Sequence, residues 1–183
     1  MKTSVEIVGP RIGATAAAVA LSAMLAGCAG PQPVAMPDPL LPPHELSLAM
    51  IVPAKGVQIY ECRAGKAPGT FEWAFVAPDA ELFDVRGKRI GHHGAGPFWA
   101  AADGSRIVGS VKARADAPVP GAIPWLLIAT RNEGGDGTFA GVAMIQRVNT
   151  AGGVAPTAPC ARETLGTPAR VAYTADYHLY RAR

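Results

Sequence analysis

With 183 residues and a net charge of +3 (17 Lys+Arg against 14 Asp+Glu), the chain has room for one domain and a tail, and too little charge to imply a nucleic-acid-binding face. Gly (21) and Pro (17) make 38 of the 183 residues, a high share that stays below the roughly 25–30% of low-complexity chains. The apolar fraction, 49%, is enough to fill a core.

Residues 1–27 read as an export signal. Lys2 and Arg11 give a positive start, diluted by Glu6, and Ile12 to Leu25 is an uncharged run of 14 residues. That is short of the ~20 residues a membrane-spanning helix needs. The run ends Leu25-Ala26-Gly27-Cys28, which resembles the lipobox of bacterial lipoproteins. The resemblance implies that Cys28 is acylated and becomes the mature N-terminus. Several acyl chains would satisfy the need for more than one lipid in a stable anchor. The competing expectation is an ordinary cleaved signal with an incidental Cys, leaving a periplasmic or secreted protein. Residue 29 is Ala rather than Asp, so the expected destination is the outer membrane of the cell envelope.

Residues 28–45 are expected to be the lipidated Cys and a tether. Six prolines within residues 29–43 favour an extended polyproline II chain, with the folded domain beginning at Leu46. From there the pattern is short runs broken by turns. Glu45 to Val52 suits either a short helix or a first strand. Val57 to Cys62 alternates apolar and polar residues, as a half-buried strand does. Phe71-Glu72-Trp73-Ala74-Phe75 alternates too, with its aromatics on one face. Ala80 to Val85 precedes a tight turn at Arg86-Gly87-Lys88, and Phe98 to Ala101 leads into the hairpin signal Asp103-Gly104. Arg106 to Ala113 returns from that turn. Trp125 to Ala129 is wholly apolar, and Phe139 to Val148 and Val171 to Tyr180 are the last long runs. Ala140 to Arg147 is the best helix candidate, but β-branched residues and flanking Gly argue against it. Many short strands with Gly and Pro turns predict an all-β domain over residues 46–183, a single antiparallel β-sandwich or small barrel.

There are three cysteines. With Cys28 lipidated, Cys62 and Cys160 form an even pair in an oxidising compartment, and a disulfide between them is expected. The absence of a CxxC motif gives no support to a redox site or a zinc knuckle.

The motif order resembles an uncharacterised secreted family, catalogued only as a domain of unknown function. The resembling pieces include Gly56 to Cys62, Ala80 to Asp84, Ile90-Gly91-His92-His93, Gly96-Pro97 with Trp99, and Asp103-Gly104-Ser105. Ile123 to Leu127, Ile145 to Thr150 with Gly152-Gly153, Ala155-Pro156 with Cys160, and Ala175-Asp176-Tyr177 complete the set. The resemblance implies no activity. A malate dehydrogenase label carried by some family members finds no support in the residues. A dinucleotide fold needs GxGxxG between a strand and a helix, whereas Gly91-His92-His93-Gly94-Ala95-Gly96 has the wrong spacing and precedes no helix.

Gly91 to Trp99 is the most unusual segment. Neutral imidazoles at His92 and His93 could bind a metal or move a proton. Adjacent strand residues point to opposite faces, so a metal would need one of the two with distant partners such as His178, Glu81, Asp84 or Asp103. The plainer expectation is loop packing or core. Asp103 and Ser105 are accounted for by a turn, and no GxSxG elbow is present. Glu61, Glu72, Glu81 and Asp84 offer carboxylates without a readable spacing for glycosidase chemistry. Trp73, Trp99 and Trp125 suit a core better than a sugar- or lipid-binding face. Arg147 and Asn149, flanking Val148, are expected on the outer face of an edge strand, with a polar pair in a cavity as the alternative.

The reading is therefore an exported envelope lipoprotein of unknown biochemical activity, held to the membrane through Cys28. Its β domain is taken as a non-catalytic binder of an unknown ligand or envelope partner, with no cofactor and no nucleic acid. Candidate ligand-binding residues are His92, His93, Trp99, Trp125 and Arg147. The alternatives are a metal-dependent enzyme or metal-binding protein using His92/His93, and a purely structural surface protein.

Overall fold

The structure is a computed structural model that describes Met1 and residues 35–183. The expected signal peptide, Cys28 and the first part of the expected tether lie outside the described residues. Eight strands follow in chain order: β1 (Leu46–Ala64), β2 (Phe71–Phe83), β3 (Arg89–Gly94), β4 (Phe98–Ala101), β5 (Arg106–Ala115), β6 (Trp125–Gly134), β7 (Val142–Gly152) and β8 (Pro168–Ala182). Each pairs antiparallel with the next, and β8 pairs with β1 from Leu46↔Ala182 to Glu61↔Pro168. The sheet is thus a closed up-and-down barrel, which resolves the choice between sandwich and barrel. Among the described residues the helical segments are two single 3-10 turns, Asp38–Leu40 and Arg162–Thr164.

Two strands are longer than the sequence patterns suggest. β1 takes in both Leu46–Val52 and Val57–Cys62, and β2 joins the Phe71–Phe75 and Ala80–Phe83 runs. Register shifts at Ile59/Tyr60 in the β1–β2 pair let the long hairpin twist while keeping one face inward. Phe75 pairs with Tyr60, Trp73 with Cys62 and Phe71 with Ala64, so the three aromatics share one face as their alternation predicts.

The barrel end formed by the β2–β3, β4–β5 and β6–β7 turns is filled. Val52, Leu82, Ile107, Ile128, Ile145 and Leu179 pack there with Phe139, which comes from the β6–β7 connection. Asp103 staples that end together. Its Oδ1 accepts from Ser105 N (3.0 Å) and Oγ (2.7 Å), and its Oδ2 accepts from Thr138 N (2.7 Å) and Oγ1 (2.6 Å). Ser105 Oγ in turn accepts from Phe139 N at 3.0 Å. The Asp103–Ser105 pair is therefore a joint between two turns. The hydroxyl hydrogen bonds of Thr138 and Ser105, with their backbone N–H groups, hold the Asp103 carboxyl well below the usual range.

The Pro-rich tether does not extend to residue 45. Leu40 is fully buried on the outside of the barrel wall against Trp125, Leu127 and Val148, with Met36 packed beside them. Gln146 Nε2 donates to Leu40 O at 2.6 Å. The folded unit thus begins about ten residues before Leu46. An apolar Leu within the proline run finds a ready apolar surface, and burying it outweighs keeping the segment extended. Among the described residues the core clusters draw on residues between Met36 and Leu179.

At the other end, Cys62 and Cys160 form a disulfide, as the cysteine count predicts, joining the end of β1 to the β7–β8 connection. Trp73 Nε1 donates to Ala158 O at 2.9 Å and pins the same connection.

Candidate functional site: a polar-floored cavity in the open barrel end

The half of the barrel nearer the β3–β4 turn is not filled. It holds a cavity of about 330 Å³, within the range of roughly 300–1,000 Å³ typical of small-molecule pockets. Trp99, Leu126, Ile128 and Tyr177 wall it, and Gln58, His93 and Arg147 bring polar atoms to it. Phe75, Val76 and Val111 line it too, and all three are largely exposed, so the mouth is apolar. Eight-stranded barrels have an interior just wide enough to be plugged by side chains or to hold one small ligand. Here Gly109 in β5 lets Trp99 and Ile128 pack against its backbone. A Cβ there would lie 2.8 Å from the Trp99 ring and 2.6 Å from Ile128.

β3 sends His93 inward and His92 outward. His93 is 3% exposed and stacks on Trp99, with Tyr177 set edge-on at 5.2 Å. His93 Nδ1 lies 2.7 Å from Phe98 O. A carbonyl only accepts, so Nδ1 carries the proton and Nε2 is the accepting nitrogen. Burial pushes the His93 pKa down to about 4, against the opposing hydrogen bond to Phe98 O and assisted by the Arg147 charge. The ring is neutral at physiological pH. His92 sits on the outer surface with Nε2 3.6 Å from Asp79, which also pairs with Arg170. Among the described residues no group of three His, Cys, Asp or Glu side chains gathers as a metal site would require.

Arg147 corrects the edge-strand expectation. β7 is flanked by β6 and β8 in a closed barrel, and Arg147 projects inward, opposite Leu126 and Tyr177. Its Nε and Nη2 donate to Pro124 O at 3.2 and 2.8 Å. Burial lowers its pKa, partly offset by the neighbouring Tyr177, Tyr173 and Tyr60 hydroxyls. A guanidinium nevertheless stays charged in proteins. Among the described residues no carboxylate pairs with it. Asn149 parts from Arg147 at a β7–β8 register shift. It takes a left-handed φ of 50° and donates to Asp176 Oδ2 on the outside.

The three tryptophans separate. Trp99 walls the cavity, Trp73 lies under the β7–β8 connection, and Trp125 packs outside the wall beneath Leu40, away from the cavity. Of the candidate residues, the fold brings together His93, Trp99 and Arg147, and leaves His92 and Trp125 elsewhere. Gln58 and Tyr177 join the cavity without having been singled out. The signal for them was parity. Gln58 alternates with Ala54 and Tyr60 on β1, and Tyr177 with Tyr173 and Leu179 on β8, all on the buried face.

The family described as "Protein of unknown function (DUF3455)" matches residues 42–181, and the chain belongs to it. Neither the curated proteins nor the solved structures contain a match.

Proposed function

We propose that this member of the DUF3455 family is an envelope lipoprotein whose barrel binds one small molecule in its open end, without catalysis. The cavity carries the reading. A packed interior would have closed over the space beside Trp99, yet an apolar mouth leads to aromatic walls and a few polar groups, the usual make-up of a small-molecule site. The strained turns and perturbed acids that mark acid–base catalysis do not converge there. His93 is buried and neutral, and its low pKa makes it a weak base at neutral pH. Export and lipidation at Cys28 would place this carrier at the membrane surface, where sparingly soluble molecules are concentrated.

The test uses the mature chain, residues 28–183 with Cys28→Ser, exported behind a cleavable signal and purified without detergent. The uncharged fluorophore N-phenyl-1-naphthylamine should bind saturably at one per chain. Leu126→Trp, which fills the cavity, should abolish that binding without lowering the melting temperature below that of the parent. Absence of saturable binding by the parent chain would remove the carrier reading.

A further inference from the structure

We propose that the ligand is a singly charged organic carboxylic acid, its carboxylate on Arg147 and its apolar body against Trp99, pointing to the mouth. The inference rests on the carrier reading above and names the class of molecule carried.

The cavity lining carries no negative charge. Arg147 is the one formal charge among its lining residues. Its partners are the neutral Pro124 O, shared by two of its N–H groups, and the neutral Tyr177 hydroxyl, so the charge meets no counter-charge. A charge drawn away from water is expensive unless a counter-charge meets it. Two further buried donors stand in the same wall. Gln58 Nε2 and Trp99 Nε1 have no hydrogen-bond partner, although both residues are almost fully buried. Gln58 stands beside the Tyr173 hydroxyl, but its Nε2 does not complete a well-formed hydrogen bond to it. Neither donor atom is exposed to the cavity, and Trp125 Nε1 and Arg181 Nε are orphaned elsewhere in the barrel, so it is the unpaired guanidinium of Arg147 that calls for a negatively charged acceptor.

A carboxylate supplies what is missing. It brings one negative charge and two oxygens that can accept from a planar guanidinium. A phosphate monoester brings nearly two charges, and the cavity offers no second cation, since His93 is neutral and no lysine lines it. The rest of the ligand is apolar and compact. The walls beyond Arg147 are Trp99, Leu126 and Ile128, the mouth is Phe75, Val76 and Val111, and the volume lies at the small end of ligand pockets.

Isothermal titration of the same mature chain near pH 7 compares three probes with one ring: 4-phenylbutyrate, 4-phenylbutan-1-ol and phenyl phosphate. The acid should bind at one per chain and about tenfold or more tighter than the alcohol. Arg147→Gln should bring the acid down to the alcohol's affinity while changing the alcohol little. Should Arg147→Gln not fold, Arg147→Lys keeps the charge and should retain most of the preference, and the acid-to-alcohol ratio in the parent chain stands without any variant. Equal binding of acid and alcohol overturns the assignment and leaves the carrier reading intact, as does an Arg147→Gln chain that still prefers the acid. Tighter binding of phenyl phosphate than of the acid overturns the single-charge argument. Failure of both acid and alcohol to bind, together with failure of the uncharged fluorophore, removes the carrier reading and this assignment with it.

Discussion

His93 lies flat on Trp99, ring centroids 4.3 Å apart and planes inclined by 15°, inside the barrel wall. The stack joins β3 to β4 where His93 and Trp99 are direct cross-strand partners. It also keeps the imidazole away from water, which is why the ring is neutral.

Stability should therefore fall as the solution is acidified through the range of this histidine. The folded-state pKa, about 4, lies below the ordinary value of 6.5, so the unfolded chain takes up the proton first. Stability from the buried neutral ring is full above about pH 6.5 and is lost as pH drops toward 4, by about 3 kcal/mol in all. Urea unfolding at a series of pH values measures it. His93→Asn keeps a neutral donor for Phe98 O and should flatten this part of the profile; an unchanged slope in the variant would show that other groups cause it.

Leu40→Ala should destabilise the barrel although Leu40 lies in the proline-rich segment. The side chain is fully buried against Trp125 and Val148, and such truncations cost about 2–5 kcal/mol. A chain starting at Leu46 should lose at least as much. A melting temperature indifferent to Leu40 would mean that the strap is not part of the fold in solution.

The Cys62–Cys160 disulfide spans 98 residues of sequence, so its contribution through the unfolded chain should be large, up to about 4–5 kcal/mol. The Cys62→Ser/Cys160→Ser chain should unfold at clearly lower denaturant. Thiol labelling of the denatured, unreduced parent should find neither residue free, and labelling of both would refute the bond.

Lipidation has its own check. Cells fed labelled palmitate should incorporate label into the parent chain and not into Cys28→Ser. Equal labelling of both would move the acyl group elsewhere, and no labelling of either would leave an ordinary cleaved signal.

Much of the fold was legible because strand signals are local. Alternation at Val57 to Cys62 and at Phe71 to Phe75, and the Asp103-Gly104 turn, depend on residues a few places apart. The position of Arg147 was not legible, and the reason is specific. On β7 both faces are apolar in part: Ile145 faces the interior, while Val148 and Gln146 are buried on the outside under the Leu40 strap. Alternation tells two faces apart without saying which one is inside. With Val148 taken as core-facing, Arg147 falls on the outer side. The strap itself was hidden by its prolines, whose preference for extended chain says nothing about the one leucine that finds a partner.

By itself the sequence determined an all-β chain with two paired cysteines and, through its motifs, membership in its family. Those properties follow from nearest-neighbour patterning, from turn chemistry and from the parity of the cysteines. Only the tertiary structure decided that the sheet closes, that one barrel end stays open, and that Arg147, Trp99 and Tyr177 meet there. Closure depends on β1 pairing with β8 across more than a hundred residues, and a cavity is the space that packing leaves behind. Neither is a property of any short stretch of chain.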